Sequence, residues 1–269
     1  MSKSFRITRY AVRIAILMIL MGLLPLSANA QTQLSAAISL KVSLEAGRAD
    51  LEKTLGEKII INYGASGTLA QQITAGAPVD LFISADRATV EKLAGKNVVD
   101  KGQAQVLATN DLVLVAPAAD KSIIKDFASL TDPAVRHVAI GEPKMVPAGR
   151  YARQTLESLK LYKPLEEAQK IVTGENVAAV LAYVSRGEVD AALVYATDAY
   201  NNPKVRVVAT APPATHDLIE YVIVPVKGAA HYDSAQKLQV ALLSASFQGI
   251  LKAHAFGPPS AAPTPASAP

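Results

Sequence analysis

The sequence lacks cysteine and tryptophan altogether, and aromatic residues make up only 5% of it. Without cysteine the chain cannot form a disulfide framework or carry a lipid-modified cysteine at a cleavage site. It also lacks a basic excess once its N-terminus is set aside, because four basic residues in the first 30 account for the net charge of +4. The neutral remainder argues against a nucleic-acid partner, which normally leaves a basic footprint.

The first 30 residues have the pattern of a secretory signal peptide. Lys3, Arg6, Arg9 and Arg13 precede an apolar run over residues 14–24, and residues 28–30 read Ala-Asn-Ala, a small-residue cleavage site. The apolar run is too short for a comfortable membrane span, and no second long apolar segment follows it. The sequence therefore predicts a protein that is exported to a bacterial periplasm and cleaved near residue 30.

The other end of the chain is rich in proline, alanine and serine. Residues 257–269 read GPPSAAPTPASAP, a low-complexity composition that predicts a disordered, extended tail. The folded part is accordingly expected over residues 31–256.

Between these ends, apolar strand patterns alternate with amphipathic helix patterns. This alternation predicts an α/β fold with mostly parallel sheets flanked by helices. Strands are predicted over residues 31–38, 59–61, 79–83, 112–116, 137–140, 168–172, 191–195, 205–209 and 218–226.

Turn signals flank the strands near Leu112 and Leu218, and about 100 residues lie between them. A second lobe that is inserted between these strands explains the pattern. The prediction is a discontinuous lobe I over residues 31–111 and 220–256, and a lobe II over residues 112–219. Two crossings between the lobes would form a hinge around a cleft.

Four turns share one arrangement, in which a strand is followed by small or polar residues and then a helix start. They lie at Ser39, Ser66, Ala148 and Val177. The start of a helix carries free N–H donors and the positive end of the helix dipole, so it binds anions without lysine or arginine. The alternative for Ser39 and Ser66 is a plain helix cap, which is the commonest role of serine at such a position.

Five segments of the chain, in their order along the sequence, resemble segments of periplasmic molybdate-binding proteins, the solute-binding components of ABC importers. The matching segments are residues 36–40 (AAISL), 64–86 (GASGTLAQQITAGAPVDLFISAD), 146–152 (VPAGRYA), 174–195 (GENVAAVLAYVSRGEVDAALVY) and 220–226 (EYVIVPV). The chain departs from the family pattern at Ile38 and Ala178, neither of which replaces a ligand. The resemblance implies a two-lobed class II periplasmic-binding fold that holds an oxyanion in the cleft between the lobes.

The resemblance also implies a set of ligand-binding residues. Ser39 and Ser66 would donate through their hydroxyl and backbone N–H groups, Ala148 and Val177 through backbone N–H groups, and Tyr195 through its phenolic hydroxyl. No cofactor is implied, and molybdenum would enter only as molybdate, with tungstate as a close substitute. The implied partner is the membrane permease of an ABC importer, and the protein is expected to be a monomer. For Tyr195 the alternative is an ordinary core side chain, because it follows a buried strand.

The chemistry of the implied site suits a fully deprotonated dianion. Molybdate offers only hydrogen-bond acceptors, whereas monohydrogen phosphate would turn its hydroxyl toward donors and find no acceptor. Sulfate has the same charge and shape as molybdate, so only the size of the site could exclude it.

Two other classes of function are weaker interpretations. A serine hydrolase is disfavoured because the G-x-S-x-G motif needs glycine where Thr68 stands, and no histidine has an evident partner. No H-E-x-x-H motif or cysteine cluster indicates a metalloenzyme. A binding protein for another tetrahedral oxyanion, such as sulfate, is a stronger alternative, and an exported scaffold or adhesin is the third.

Overall fold

The computed structural model of the protein describes residues 31–119 and 124–260. Within these ranges the chain forms two five-stranded sheets with helices packed on them, which confirms the predicted two-lobed α/β fold. The strands are β1 (Gln31–Ala37), β2 (Lys58–Gly64), β3 (Leu81–Ser84), β4 (Gln105–Thr109), β5 (Leu112–Pro117), β6 (Val138–Gly141), β7 (Ile171–Gly174), β8 (Ala191–Tyr195), β9 (Val205–Thr210) and β10 (Glu220–Pro225).

The α-helices pack mainly on the faces of these sheets. They are α1 (Lys41–Leu55), α2 (Ser66–Thr74), α3 (Arg87–Gly95), α4 (Pro147–Ser158), α5 (Tyr162–Glu167), α6 (Val177–Ser185), α7 (Ala196–Ala199), α8 (Tyr232–Leu243) and α9 (Ala245–Ala253). Short 3-10 helices lie at Ile38–Leu40, Lys101–Gln103, Ala128–Thr131 and Pro213–Thr215.

The two sheets share one plan. The first has the strand order β2-β1-β3-β10-β4 and the second the order β7-β6-β8-β5-β9. In the first sheet β1 is parallel to β2 and β3, whereas β10 is antiparallel to β3 and β4. In the second, β6 is parallel to β7 and β8, whereas β5 is antiparallel to β8 and β9. Each sheet is therefore mixed, with one strand that runs against its neighbours.

The reversed strands β5 and β10 are a feature that the strand-helix alternation does not predict. Both follow directly after the chain passes from one sheet to the other. Only Asn110 and Asp111 separate β4 from β5, and the connection from β9 to β10 contains a 3-10 helix but no α-helix. The rule that parallel strands need a long crossover connection applies to consecutive strands of one sheet, so it leaves the direction of a strand that arrives from the other sheet open.

The distribution of the strands bears on the predicted lobes. The strands of the first sheet all lie within residues 31–111 and 220–256, and those of the second within residues 112–219. The positions of the lobe boundaries and of the hinge stay a prediction.

The predicted strand over residues 168–172 lies three residues too early, because β7 begins at Ile171. Helix α5, which the sequence pattern does not reveal, ends in this region. Ala168 follows the helix, and Gln169 has a φ of 55°, a left-handed conformation that ends the turn before the strand can start. Strand β4 was not predicted either, because its sequence QVLAT is only partly apolar.

The centres of both sheets are fully covered. Every residue of β3, β6, β8 and β10 is buried, which explains why these strands are nearly continuous apolar runs rather than alternating ones. Because both faces of each sheet are covered, the ends of these central strands are the places where polar groups can reach a cleft.

The chain is still paired at the start of the predicted tail. Gly257 forms an antiparallel bridge with Thr109, and the Thr109 hydroxyl donates to the Pro258 carbonyl at 2.9 Å. The Ser260 hydroxyl donates to Glu220. Residues 257–260 therefore differ from the expected extended tail, because the end of β4 offers them backbone and side-chain partners. Residues 261–269 and the predicted signal peptide over residues 1–30 lie outside the described residues. Across the part of the chain that is described, the helices are too short or too polar to span a bilayer.

Candidate oxyanion-binding site

Ser39, Ser66, Ala148, Val177 and Tyr195 line one small cavity. The cavity has a volume of about 10 Å³ for the centre of a water-sized sphere, which is about the space of a single water molecule. The structure thus brings together all five residues that the sequence singled out, from elements of both sheets. Their neighbours in the lining are Ala37, Ile38, Gly64, Ala65, Ala85, Val146 and Pro147, none of which is charged.

Ser39 reaches the cavity from the turn after β1. It lies in the middle of the 3-10 helix Ile38–Leu40, and the residue that precedes α1 is Leu40. The prediction that Ser39 caps this helix is therefore wrong, and no side-chain cap is found at the start of either helix. Its hydroxyl instead lies 2.7 Å from the hydroxyl of Tyr221 on β10.

Ser66 is the first residue of α2 and is fully buried. The residue that caps α2 is Ala65, so the capping alternative for Ser66 is wrong. Its oxygen accepts a hydrogen bond from the backbone N–H of Ala85 at 3.0 Å. Because a serine hydroxyl has one proton and two acceptor positions, this contact leaves the Ser66 proton free for a group in the cavity.

Ala148 and Val177 lie at two further helix starts. Ala148 is the second residue of α4, and Val177 is the first residue of α6, where Asn176 caps the helix by accepting from the N–H of Ala179 at 2.9 Å. The first N–H groups of a helix have no partner within that helix. Both residues are buried, so these N–H groups would be satisfied by a bound anion rather than by bulk water.

The start of α4 packs very closely against the end of β6. A Cβ atom on Gly149 would lie only 1.9 Å from the carbonyl oxygen of Gly141. Glycine at position 149 is thus required for the close approach that places the Ala148 N–H at the cavity.

Tyr195 ends β8, and 1% of its surface is exposed. Its hydroxyl is buried and has no hydrogen-bond partner within the described structure. Burial raises the pKa of Tyr195 well above its usual value, so the phenol keeps its proton and can only act as a neutral donor or acceptor. An unpartnered buried hydroxyl costs free energy, and its position at the cavity indicates a ligand that would satisfy it.

Contacts between elements of the two sheets surround this cavity. The backbone N–H of Gly67 donates to the carbonyl of Met145 at 2.9 Å, and Arg150 on α4 pairs with Asp86, the residue that caps α3. The sequence motifs contain both charged residues, but nothing in the sequence pairs them. The charges of Arg150 and Asp86 offset each other, so no net positive side chain is supplied to the cavity.

The cavity is not the largest depression on the protein. A groove of about 820 Å³ lies between α1, α8 and α9, on the outside of the first sheet. It is open and mostly apolar, and its lining includes the acidic residues Asp50 and Asp233, so its size does not make it an anion site. The described residues contain no group of three or more His, Asp or Glu side chains that could hold a metal ion.

The chain matches the family model described as bacterial extracellular solute-binding protein over residues 33–257. It is 37% identical to the molybdate-binding protein ModA of Escherichia coli over 201 residues, which covers 72% of this chain and 76% of that protein. It is 36% identical over 225 residues to YvgL of Bacillus subtilis, a putative ABC transporter substrate-binding lipoprotein, with 83% and 85% covered. The periplasmic molybdate-binding protein of Azotobacter vinelandii matches the fold with a TM-score of 0.74 at 25% identity, over 85% of this chain and 100% of that one.

Proposed function

The chain belongs to the family of bacterial extracellular solute-binding proteins, and from this premise we propose that it binds molybdate and delivers it to an ABC importer. The family consists of binding proteins, not enzymes, and the site agrees with this. No histidine is among the residues that line the cavity with Ser66, and the Ser66 oxygen accepts from the backbone N–H of Ala85. The hydrolase alternative therefore has no general base to rely on.

The observation that supports the proposed site best is that five residues able to donate hydrogen bonds line one cavity that has no charged lining residue. In this proposal the hydroxyls of Ser39, Ser66 and Tyr195 and the backbone N–H groups at Ala148 and Val177 surround a dianion. Hydrogen bonds to a charged group contribute roughly 1.5–3 kcal/mol each, and together they must outweigh the cost of dehydrating the ion. Sub-micromolar affinity corresponds to about −8 kcal/mol or better, which five such bonds can supply.

The lining also accounts for the choice of solute class. Phosphate at neutral pH carries a proton that needs an acceptor, and the proposed lining offers it donors. Tungstate has the charge and geometry of molybdate, so we expect it to bind as well. Sulfate differs from molybdate mainly in size, and donors that close around the larger ion would leave it with longer hydrogen bonds.

The location and the partner follow from the same proposal. A protein of this extracellular family with the N-terminal pattern of residues 1–30 would be exported to the periplasm and cleaved there. It would act as a monomer and dock on a membrane permease.

Calorimetry tests the proposed function directly. The purified protein is titrated with molybdate, tungstate, sulfate and phosphate, and tyrosine fluorescence is followed in parallel, since the chain has no tryptophan. We expect tight binding of molybdate and tungstate, weaker binding of sulfate and none of phosphate. Sulfate binding as tight as molybdate binding would favour the sulfate alternative, and no heat with any oxyanion would reject the proposal.

A further inference from the structure

A row of hydrogen bonds lies behind Ser39 and leads away from the cavity. The Ser39 hydroxyl is 2.7 Å from the hydroxyl of Tyr221, and the side-chain nitrogen of Asn110 is 3.3 Å from that same tyrosine oxygen. The nitrogen of Asn110 also lies 2.8 Å from the hydroxyl of Thr197 on α7. The row thus runs from the cavity, through β10, to the segment that joins the two sheets.

The orientation of the Asn110 amide is fixed by its other end. Its oxygen accepts a hydrogen bond from the backbone N–H of Asp111 at 2.9 Å. The opposite orientation would place two donors against each other, so the nitrogen must face Tyr221 and Thr197. An amide nitrogen donates and does not accept, and Asn110 therefore determines what the hydroxyl of Tyr221 can do.

The Tyr221 oxygen accepts a hydrogen bond from the amide nitrogen of Asn110, and the Tyr221 hydroxyl has one proton of its own to donate. Of the two side chains that contact its hydroxyl, only Ser39 can accept it. Tyr221 is fully buried, and burial raises its pKa, so the phenol keeps this proton. The Ser39 proton is then directed away from Tyr221 and toward the cavity that Ser39 lines.

We propose that Asn110 and Tyr221 are positioning residues that fix the direction of this hydrogen-bond row, and that they thereby make Ser39 a donor to the bound oxyanion. This proposal rests on the proposed function. It assigns to these two residues part of the discrimination between fully deprotonated oxyanions and oxyanions that retain a hydroxyl. With Ser39 held as a donor, a protonated oxygen that faces it meets another proton instead of an acceptor.

Substitution of Asn110 by aspartate should reverse the direction of the hydrogen bonds in this row. A carboxylate at this position still accepts from the Asp111 N–H, but it also accepts the proton of Tyr221. The oxygen of Tyr221 then accepts from Ser39, and Ser39 presents a lone pair to the cavity. The added negative charge lowers the affinity for all dianions alike. The ratio of the affinities for two dianions therefore measures the effect of reversing the hydrogen bonds and not the effect of the charge.

Tyr221→Phe tests the same proposal by breaking the row of hydrogen bonds between Asn110 and Ser39. It removes the hydroxyl that orients Ser39, which is then free to donate or accept. Tyr63→Phe is the matched control, because it also removes one tyrosine hydroxyl from a hydrogen bond, in this case a bond of 2.9 Å to Glu45 on the surface.

The experiment compares the wild-type protein with Asn110→Asp, Tyr221→Phe and Tyr63→Phe. Each is titrated by calorimetry with molybdate and with monohydrogen arsenate, a tetrahedral dianion with one hydroxyl, at a mildly alkaline pH where both carry two charges. Where arsenate binds too weakly for direct titration, its affinity is measured by competition with molybdate. Thermal unfolding establishes that each variant is folded.

We expect the preference for molybdate over arsenate to fall about tenfold in Tyr221→Phe, because this is the change in affinity that one hydrogen bond accounts for. In Asn110→Asp the preference should fall further. It should not change in Tyr63→Phe. A preference that stays at the wild-type value in Tyr221→Phe and in every folded Asn110→Asp sample, with weaker binding of both ions, would show a purely structural role and overturn the proposal. If Asn110→Asp does not fold, Tyr221→Phe decides alone. Failure of the wild-type protein to bind molybdate is a different result, because it rejects the proposed function itself.

Discussion

At the scale of single residues, Ser66 has two roles that one substitution removes together. Its oxygen accepts from the buried N–H of Ala85, and its proton is available to the proposed ligand. We expect Ser66→Ala to weaken molybdate binding by about tenfold or more, because one charge-assisted hydrogen bond is lost. It should also lower the free energy of unfolding by about 1–3 kcal/mol, because the Ala85 N–H loses its partner.

Ser43 provides the matched control for this prediction. It is buried like Ser66, but its hydroxyl has no partner among the described residues. Ser43→Ala should therefore leave both affinity and stability nearly unchanged. Calorimetry and urea unfolding measure the two effects, and unchanged molybdate affinity in Ser66→Ala would remove this residue from the proposed site.

Removal of the Tyr195 hydroxyl should change the stability of the ligand-free protein differently from removal of the Ser66 hydroxyl. Its buried hydroxyl has no partner, so Tyr195→Phe relieves an unsatisfied group and should raise the unfolding free energy slightly, or leave it unchanged. The same variant should bind molybdate about tenfold more weakly, since the donor is gone. Thermal unfolding without ligand and calorimetric titration check the two parts. A loss of stability with normal affinity would support the core-residue alternative for Tyr195.

Asp198 makes the stability of the protein depend on pH. Burial is the main cause that raises the pKa of this carboxyl from 3.8 to about 7, against a lowering hydrogen bond from the N–H of Tyr195. The folded state therefore holds this proton more tightly than the unfolded state. The contribution of Asp198 to stability is fully present below about pH 4 and is lost as pH rises to about 7.

Asp198→Asn removes this titration while keeping an acceptor for the N–H of Tyr195. The difference in unfolding free energy between variant and wild type should grow in favour of the variant as pH rises from about 4 to about 7, and stay constant above that range. Urea unfolding at a series of pH values measures it. Parallel curves for the two proteins would contradict the raised pKa.

The roles of single side chains were the least predictable part of the site. All five residues that the sequence singled out line the cavity, but the capping interpretations of Ser39 and Ser66 were wrong. The partner of the Ser39 hydroxyl is Tyr221, which is 182 residues away along the chain. A local pattern indicates where a serine lies relative to a helix, whereas its hydrogen-bond partner depends on which strands become neighbours.

At the scale of secondary-structure elements, the close contact between α4 and β6 positions one of the proposed donors. In Gly149→Ala the new methyl group would collide with the carbonyl oxygen of Gly141. The methyl carbon would lie 1.9 Å from that oxygen if the backbone did not shift. We expect a loss of about 1–3 kcal/mol in stability from this overpacking. Molybdate affinity should also fall, because the start of α4 and the Ala148 N–H must move.

Gly249→Ala is the control for this change. Gly249 lies within α9, and a methyl group there would meet no atom within 4 Å. Since alanine is the better helix former, this variant should gain up to about 1 kcal/mol and bind normally. Normal affinity in a folded Gly149→Ala protein would show that the position of α4 does not control the site.

The sequence predicted elements best where strong local signals coincide. Asp86, a residue type that favours helix starts, accepts from the N–H of Thr89 at 3.0 Å at the start of α3. Strand β4 and helix α5 were missed, because one is only partly apolar and the other is a short turn of six residues. Such weak elements form because the neighbouring strands and helices cover them, which a local pattern does not reveal.

At the scale of the whole molecule, the ion pair of Arg150 and Asp86 joins elements of the two sheets beside the cavity. We expect Arg150→Met to favour a more open arrangement of the proposed lobes, because the buried Asp86 carboxylate would lose its partner and gain from hydration. Molybdate should then dissociate faster, with about tenfold lower affinity. Stopped-flow kinetics and the radius of gyration from solution scattering, with and without ligand, measure these effects.

Arg153→Met is the control on the same helix. Arg153 pairs with Glu157 at 2.7 Å on the exposed surface, within one helix turn, and such pairs contribute little. It should leave the dissociation rate and the radius of gyration as in the wild-type protein. Equal dissociation rates for Arg150→Met and Arg153→Met would mean that the ion pair does not hold the cavity closed.

The reversed strand β10 has a consequence for the order in which the protein can be assembled. It lies between β3 and β4 in the first sheet, although more than 100 residues separate β4 from β10 in the sequence. As the chain emerges in order from the ribosome, the first sheet keeps a gap between β3 and β4 until residue 225 is available. The five strands of the second sheet, from β5 to β9, are by then complete and contiguous. The part of the protein that is made first is therefore the part that finishes folding last, and the slow pairing of distant strands limits its rate.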